Sequence, residues 1–328
     1  MKLSNFQNIL ILRLSSLGDV ILTSPLIRTI KNSYPHLNID FLVRKEYEDV
    51  VKYNPNLNQI IGIKTNYNLK TLRNQIYQNK YDLIIDLQNN LRSRKITKSV
   101  SSQIVRYKKP YLNRVLLVKL KINRFIEILP ISVRYANSIP NFMLDDKGLE
   151  LFLPKNANSK LNDNNRYIGL CPGSKHKTKM WPEGYFIKLG NDLVKNNYKI
   201  VLFGGKDDKD ICRYISNKII GSVDLSNDNN LFDLAANMKK CKVLICNDSG
   251  LMHTGLAVDI PIMAIFGSTV KELGFFPYKG NNLVLENNSL SCRPCSHIGL
   301  DKCPKNHLNC MNEILPSYVL QKTLNFIQ

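Results

Sequence analysis

Two short stretches carry side chains whose types and spacing could do chemistry. Cys246-Asn247-Asp248-Ser249-Gly250-Leu251-Met252-His253 leads from an apolar run into a helical pattern. Asp248 or Ser249 can cap such a helix, and Gly250 removes a Cβ where a ligand would press in. The free N–H groups and the helix dipole then make an anion site suited to a diphosphate. His253, one turn in, can reach the same place. The plainer alternative is an ordinary capped strand-to-helix turn with a partly buried histidine. The second stretch is Ser15-Ser16-Leu17-Gly18-Asp19, which ends an apolar run and opens another helical pattern. Asp19 is either a first-turn acid stabilised by the dipole or a general base. The dipole that steadies the carboxylate also lowers its basicity. A base at this position takes its proton late, when the attacked bond is already forming.

Three further groups are candidates. Lys179 lies just before Pro182-Glu183, which read as a first helical turn, and could meet phosphate oxygens; an exposed lysine beside a buried Trp181 explains it equally. Asp207 or Asp208, after Gly204-Gly205, could bind ribose hydroxyls as an acid does in dinucleotide folds, or could simply cap a helix. Eight cysteines divide into two sets. Cys171, Cys212, Cys241 and Cys246 fall in core elements and read as packing residues. Cys292, Cys295, Cys303 and Cys310 cluster with His297 and His307, and their spacing leaves open a structural zinc, a metal-free thiol cluster or a redox pair.

The elements that must position these groups alternate between strand and helix. Residues 9–14, 39–43, 59–63 and 82–87 predict buried strands, with helices from Asp19, over 46–53 and over 70–78. Asn89 and its polar neighbours Gln88 and Asn90 end the fourth strand, which places them near Asp19 if the sheet is parallel. The rhythm resumes with strands at 167–171, 199–203, 243–246 and 262–266. Its helices fall at 182–196, from about 208, at 231–239 and at 250–258. The polar stretch 155–165 is the linker candidate. An α/β protein of two Rossmann-like domains follows.

The chain has 328 residues, 44% of them hydrophobic, and a formal net charge of +20. Residues 92–124 hold eleven Lys or Arg and no acid. Such a field favours nucleic acid, an anionic membrane face or a phosphorylated glycolipid, or it serves solubility alone. The part at 115–122 reads as a basic amphipathic element on a membrane surface or as a covered domain edge with solvated lysines. No targeting segment and no run of membrane-spanning length is expected, so a cytoplasmic protein, at most peripheral to a membrane, is the reading.

Taken together, RLSSLGDVILTSPLIRTIKNSYP (13–35), DFLVRKEY (40–47), YDLIIDLQNNLRSR (81–94), PGSKHKTKMWP (172–182), FGG (203–205), NDSGLMH (247–253), IPIMAIFGST (260–269) and CRPC…CP…C (292–310) resemble glycosyltransferase family 9, the bacterial lipopolysaccharide heptosyltransferases. The resemblance implies a GT-B fold, two Rossmann-like domains whose parallel sheets face a central cleft. An acceptor-binding domain would span 1–154 and a linker 155–165. A nucleotide-sugar domain would span 166–328, with a Cys-rich loop at 291–311 and a last helix, 316–326, able to pack back on the first domain.

The resemblance further implies an inverting transfer from ADP-L-glycero-D-manno-heptose to the lipid A–Kdo inner core, with no cofactor required. Asp19 falls on the family's base and Lys179 on its phosphate-binding lysine. Asp248, Ser249, Gly250, Leu251 and His253 fall on its diphosphate and donor-sugar loop. Asp207 and Asp208 lie near its ribose-binding acid. Ser16, Gly18, Asn89, Arg92 and Arg94 lie where acceptor contacts are expected. The implied partners are ADP-heptose, an anionic Kdo–lipid A acceptor and the inner membrane surface, for a monomer that binds no nucleic acid. The rivals are a family member with another nucleotide sugar or acceptor, a silent donor-binding protein, and a nucleic-acid-binding protein, for which no motif is present.

Overall fold

The computed structural model of the chain describes residues 1–98, 100, 102–163, 166–226 and 230–327. Residues 164–165 of the expected linker and residue 328 lie outside that set. The chain forms two compact units: Met1–Pro110 with Leu129–Phe152, and Tyr111–Ile128 with Leu153–Gln328.

In the first unit, Asn8–Leu12 (β1), Asn38–Arg44 (β2), Gln59–Ile63 (β3), Leu83–Asp86 (β4) and Gln103–Arg106 (β5) form one sheet in the order β3-β2-β1-β4-β5. Every pairing is parallel. Ile9 to Leu12 and Leu83 to Ile85 are fully buried, as strands covered on both faces must be. The helix expected from Asp19 is two helices, Leu17–Ile21 (α1) and Ser24–Ser33 (α2). Pro25 explains the break, because it has no N–H to continue the ladder. The Leu22 carbonyl at the break accepts from the Ser132 hydroxyl at 2.8 Å. Leu69–Gln78 (α3) matches expectation, whereas 46–53 is a 3₁₀ turn, Lys45–Val50. Leu91–Ile96 (α4) follows β4, with Asn90 as its cap.

A single boundary near residue 154 does not describe the division. Residues 111–128, which begin with the short helix Tyr111–Val115 (α5), group with the second unit before the chain returns through Ile131–Ala136 (α6). The cause is local. Leu117 is buried, and the Lys121 ammonium donates to the Cys292 and Pro294 carbonyls at 3.0 and 2.6 Å. The basic segment is therefore split between the two units.

The second unit adds Glu183–Lys195 (α7), Lys209–Ser216 (α8), Leu231–Met238 (α9), Gly250–Ala257 (α10), Asn309–Asn312 (α11) and Pro316–Phe326 (α12). Its strands are Tyr167–Cys171 (β6), Lys199–Leu202 (β7), Val223–Asp224 (β8), Cys241–Asn247 (β9), Ile262–Phe266 (β10) and Asn282–Glu286 (β11). They form a parallel sheet in the order β11-β10-β9-β6-β7-β8. Helix α12 packs on this unit's own core through Val319, Leu320 and Leu324, beside α7. No helix among the described residues is long and apolar enough to cross a membrane.

In both sheets the chain turns opposite ways from one strand pair, β1/β4 in the first and β6/β9 in the second. Ligands of open parallel sheets bind beyond the carboxyl ends at such a point.

Candidate active site

At the β1/β4 point the organising residue is Arg13. Its guanidinium meets Asp19 at 2.7 Å and donates to the Ser15 and Leu87 carbonyls at 2.9 and 2.8 Å. Gln88, just past β4, accepts from the Leu14 and Ser15 N–H groups at 3.0 and 3.4 Å, fixing the turn after β1 to the end of β4. The Ser16 N–H and hydroxyl both donate to the second Asp19 oxygen, at 3.1 and 2.9 Å. Tyr135, from α6, adds a donation at 3.4 Å, and the Arg13 guanidinium lies over its ring, 5.6 Å from the centroid. Gly18 is buried under this loop and Ser16 is exposed.

Burial of Asp19 works to raise its carboxyl pKa. The Arg13 charge and the Ser16 donors outweigh it, and the net shift is downward. For Tyr135 burial prevails and its hydroxyl is held well above the usual value. Asp19 is thus an ionised, oriented carboxylate, and 17% of its side chain stays open to solvent.

Asn89 adopts the left-handed conformation at φ 36°, which asparagine tolerates. Its amide donates to the Tyr107 carbonyl at 2.8 Å and accepts from Arg94 at 3.1 Å. Asn89 therefore shapes the turn, Arg94 is tied to it, and Arg92 is exposed on α4. Gln88 lies beside the Asp19 turn, as its place at the end of the fourth strand predicts, whereas Arg13 and Tyr135 are site residues that the sequence did not single out. Arg13 was visible as a lone charge inside an apolar run, and Tyr135 carried no local signal.

At the β6/β9 point, Asn247 makes the tie that Gln88 makes in the first unit. It accepts from the Trp181 N–H at 3.0 Å and donates to the Pro172 carbonyl at 2.7 Å. Trp181 is buried and its indole N–H donates to the Ile314 carbonyl at 2.8 Å, so the loop that carries Lys179 is fixed at its Trp181 end. Thr178 adds hydrogen bonds with Ser268 and Leu300. Gly299 has φ +108°, and a Cβ there would fall 2.6 Å from that of His176, so the Cys-rich loop needs glycine to lie against the lysine loop.

The Lys179 ammonium meets Asp248 at 2.7 Å, and the Thr269 hydroxyl donates to the same carboxylate at 2.7 Å. The buried carboxylate aims the lysine. Ser249 occupies the N-cap position of α10 without a side-chain capping bond, and the first turn of that helix holds no acid. The Ser249 hydroxyl is buried with no hydrogen-bond partner among the described residues. Leu251 and His253 are buried in the first turn of α10, and Gly250 is half-buried.

Of the two acids after β7, Asp207 is exposed. Asp208 turns inward, accepts from the Gly205 N–H at 3.0 Å and lies over Gly173, where a Cβ would come within 2.0 Å of it. Burial raises its carboxyl pKa, with the Gly205 donor opposing.

The cysteines correct one expectation. Among the described residues no group of three or more His, Cys, Asp or Glu is arranged to hold a metal ion, so Cys292, Cys295, Cys303 and Cys310 do not form the zinc site their spacing allowed. The thiols are engaged separately. Cys295 donates to the Cys292 carbonyl at 3.4 Å, and Cys310 packs into the core. Cys303 faces the N–H groups of residues 305–308, which lower its pKa against the effect of burial. The loop is held by Arg293, which donates to the Gly267 and Thr269 carbonyls and pairs with Glu286 at 2.7 Å. All eight cysteines are free, and Cys171, Cys212, Cys241 and Cys246 are buried in the second unit's core.

Residues 69–303 match the sequence model of Glycosyltransferase family 9 (heptosyltransferase). The chain belongs to that family. A lipooligosaccharide heptosyltransferase 2 of Campylobacter jejuni is 26% identical over 321 residues, covering 95% of this chain and 96% of the relative. Among solved structures, a glycosyl transferase family 9 protein from Veillonella parvula matches with a TM-score of 0.82 at 22% identity, over 100% and 98% of the two chains. The ADP-heptose lipopolysaccharide heptosyltransferase II of Escherichia coli matches with a TM-score of 0.75 at 19% identity, over 98% of each. These likenesses carry the GT-B fold to this glycosyltransferase.

Proposed function

We propose that this family 9 transferase moves a heptose from ADP-L-glycero-D-manno-heptose to the anionic lipid A–Kdo inner core, with inversion at the anomeric carbon, on the cytoplasmic side of the membrane. The observation that carries the reading is the pair of built switch points, one offering an ionised carboxylate and the other an aimed ammonium beside a helix N-terminus. The acceptor hydroxyl attacks the anomeric carbon and the bond to the diphosphate breaks, with Asp19 taking the hydroxyl's proton. Lys179, the Ser249 hydroxyl and the first N–H groups of α10 receive the charge that develops on the leaving ADP. Asp208 is better placed than Asp207 for the ribose, since it lies at the carboxyl end of β6 beside Gly173. Arg92 and Arg94 supply positive charge for Kdo carboxylates and phosphates. These fixed donors supply the positive charge that the leaving diphosphate needs.

The Campylobacter jejuni relative favours a second reading of the acceptor: as a heptosyltransferase 2, it points to a core that already carries one heptose. ADP release from ADP-heptose, measured with Kdo–lipid A and with the mono-heptosylated core, decides between them. Release that depends on neither acceptor, with other nucleotide sugars inert as well, refutes the reaction.

A further inference from the structure

The segment Tyr111–Ile128 exposes apolar side chains to a degree found nowhere else in the described chain. Seven of the eighteen large hydrophobic residues that stand exposed belong to these eighteen residues. Tyr111 is 77% exposed, Leu112 65%, Leu120 62% and Ile126 fully. Tyr111, Leu112 and Val115 lie at helical spacings of three and four on α5, so that helix turns an apolar side outward. The covered-edge reading of this segment is thereby excluded. Arg114, Lys119, Lys121 and Arg124 interleave with the apolar groups, and Glu127 is the one acid.

The segment is also anchored from behind. Leu117 is its buried contact. Lys121, at φ +58°, closes a π-helical turn over Leu116–Leu120 and holds the Cys-rich loop by its ammonium. The Asn123 amide donates to Glu272 at 3.1 Å. The backbone is therefore fixed while the apolar side chains face water. Exposing such a group costs solubility unless something covers it. Apolar tips among cations match the interface of an anionic bilayer, where acyl chains take the former and lipid phosphates the latter.

We infer that residues 111–128 dock the protein on an anionic lipid surface by shallow insertion of Tyr111, Leu112, Leu120 and Ile126, with Lys119 and Arg124 on headgroup phosphates. The inference goes beyond the transfer reaction and needs no step of it.

Flotation of the full chain with vesicles, without any acceptor glycolipid, tests it. Phosphatidylcholine mixed with phosphatidylglycerol should carry the protein up, and phosphatidylcholine alone should carry much less. Leu112→Ser with Ile126→Ser should weaken binding about tenfold. Lys119→Gln with Arg124→Gln should weaken it by roughly 25-fold, at about fivefold per charge, and remove the preference for phosphatidylglycerol. All four positions are exposed, so circular dichroism should be unchanged. Tyr77→Ser, at an exposed site on the first unit, should bind like wild type. No flotation with anionic vesicles overturns the inference. So does equal binding by both double variants, or binding that appears only when acceptor glycolipid is added. ADP release from detergent-dispersed acceptor reads the reaction separately, so failure of one leaves the other standing.

Discussion

The two switch points use one device in opposite senses. Each holds a cation and a carboxylate 2.7 Å apart, and each is tied across its two central strands by an amide side chain, Gln88 in one and Asn247 in the other. In the first unit the cation is the buried anchor, since Arg13 is spent on the Ser15 and Leu87 carbonyls and Asp19 is the more exposed partner. In the second the carboxylate is the anchor, since Asp248 is held by Thr269 and Lys179 is the more exposed partner. An ion pair of fixed geometry presents whichever member its surroundings leave open. Anchoring by backbone carbonyls selects the anion for display, and anchoring by a hydroxyl donor selects the cation.

The comparison breaks most visibly if the displayed groups are exchanged in role. Asp19→Asn should lower turnover by about 10²-fold or more while ADP affinity, measured by calorimetry, stays as in wild type. A parallel loss of ADP affinity would mean that the first switch point also serves the donor. Lys179→Gln should do the reverse. It removes a charged donor and leaves Asp248 buried without its cation, so ADP affinity should fall about 10- to 100-fold.

The anchors are tested next. Arg13→Lys keeps the charge but cannot reach Asp19 and two carbonyls with one fork. Activity should fall about tenfold, in keeping with the loss of a charge-assisted hydrogen bond. The pH profile sharpens this. The Asp19 carboxyl lies below its ordinary value, so kcat/KM should be level through the usual carboxylate range and fall only as pH drops through the depressed value. Arg13→Lys should move that acid limb upward. The same depression makes a contribution to stability that is present above the unfolded carboxyl's pKa and lost as pH falls through the folded one. The smallest effect is expected from Gln88→Ala, which strips an acceptor from the Leu14 and Ser15 N–H groups. It should cost about 1 kcal/mol and lower Tm by roughly 2–4 °C in a thermal scan.

The architecture was legible where strands are buried on both faces. Runs such as Ile9 to Leu12 and Ile262 to Phe266 have no polar alternative to a parallel sheet. β5 and β11 were missed because Gln103–Arg106 and Asn282–Glu286 are short, polar at their ends and near the sheet edges. The break between α1 and α2 was written in Pro25 but hidden by apolar spacing that continues across it. At the candidate site the displayed residues could be named, because Asp19, Lys179 and Asp248 sit beside turn and cap signals. Their anchors could not. Arg13 meets Leu87, and Asp248 meets Thr269, only once parallel pairing has set distant strand ends side by side. Which of Asp207 and Asp208 turns inward likewise depended on Gly173, which lies far away in sequence.

Trp181 is the chain's one tryptophan, buried, hydrogen-bonded at its indole nitrogen and two residues from Lys179. The protein thus carries a built-in optical reporter. All indole emission arises from a single environment, so a shift on adding ADP reads the lysine loop directly, and a shift to the red under denaturant reads the opening of the second unit alone.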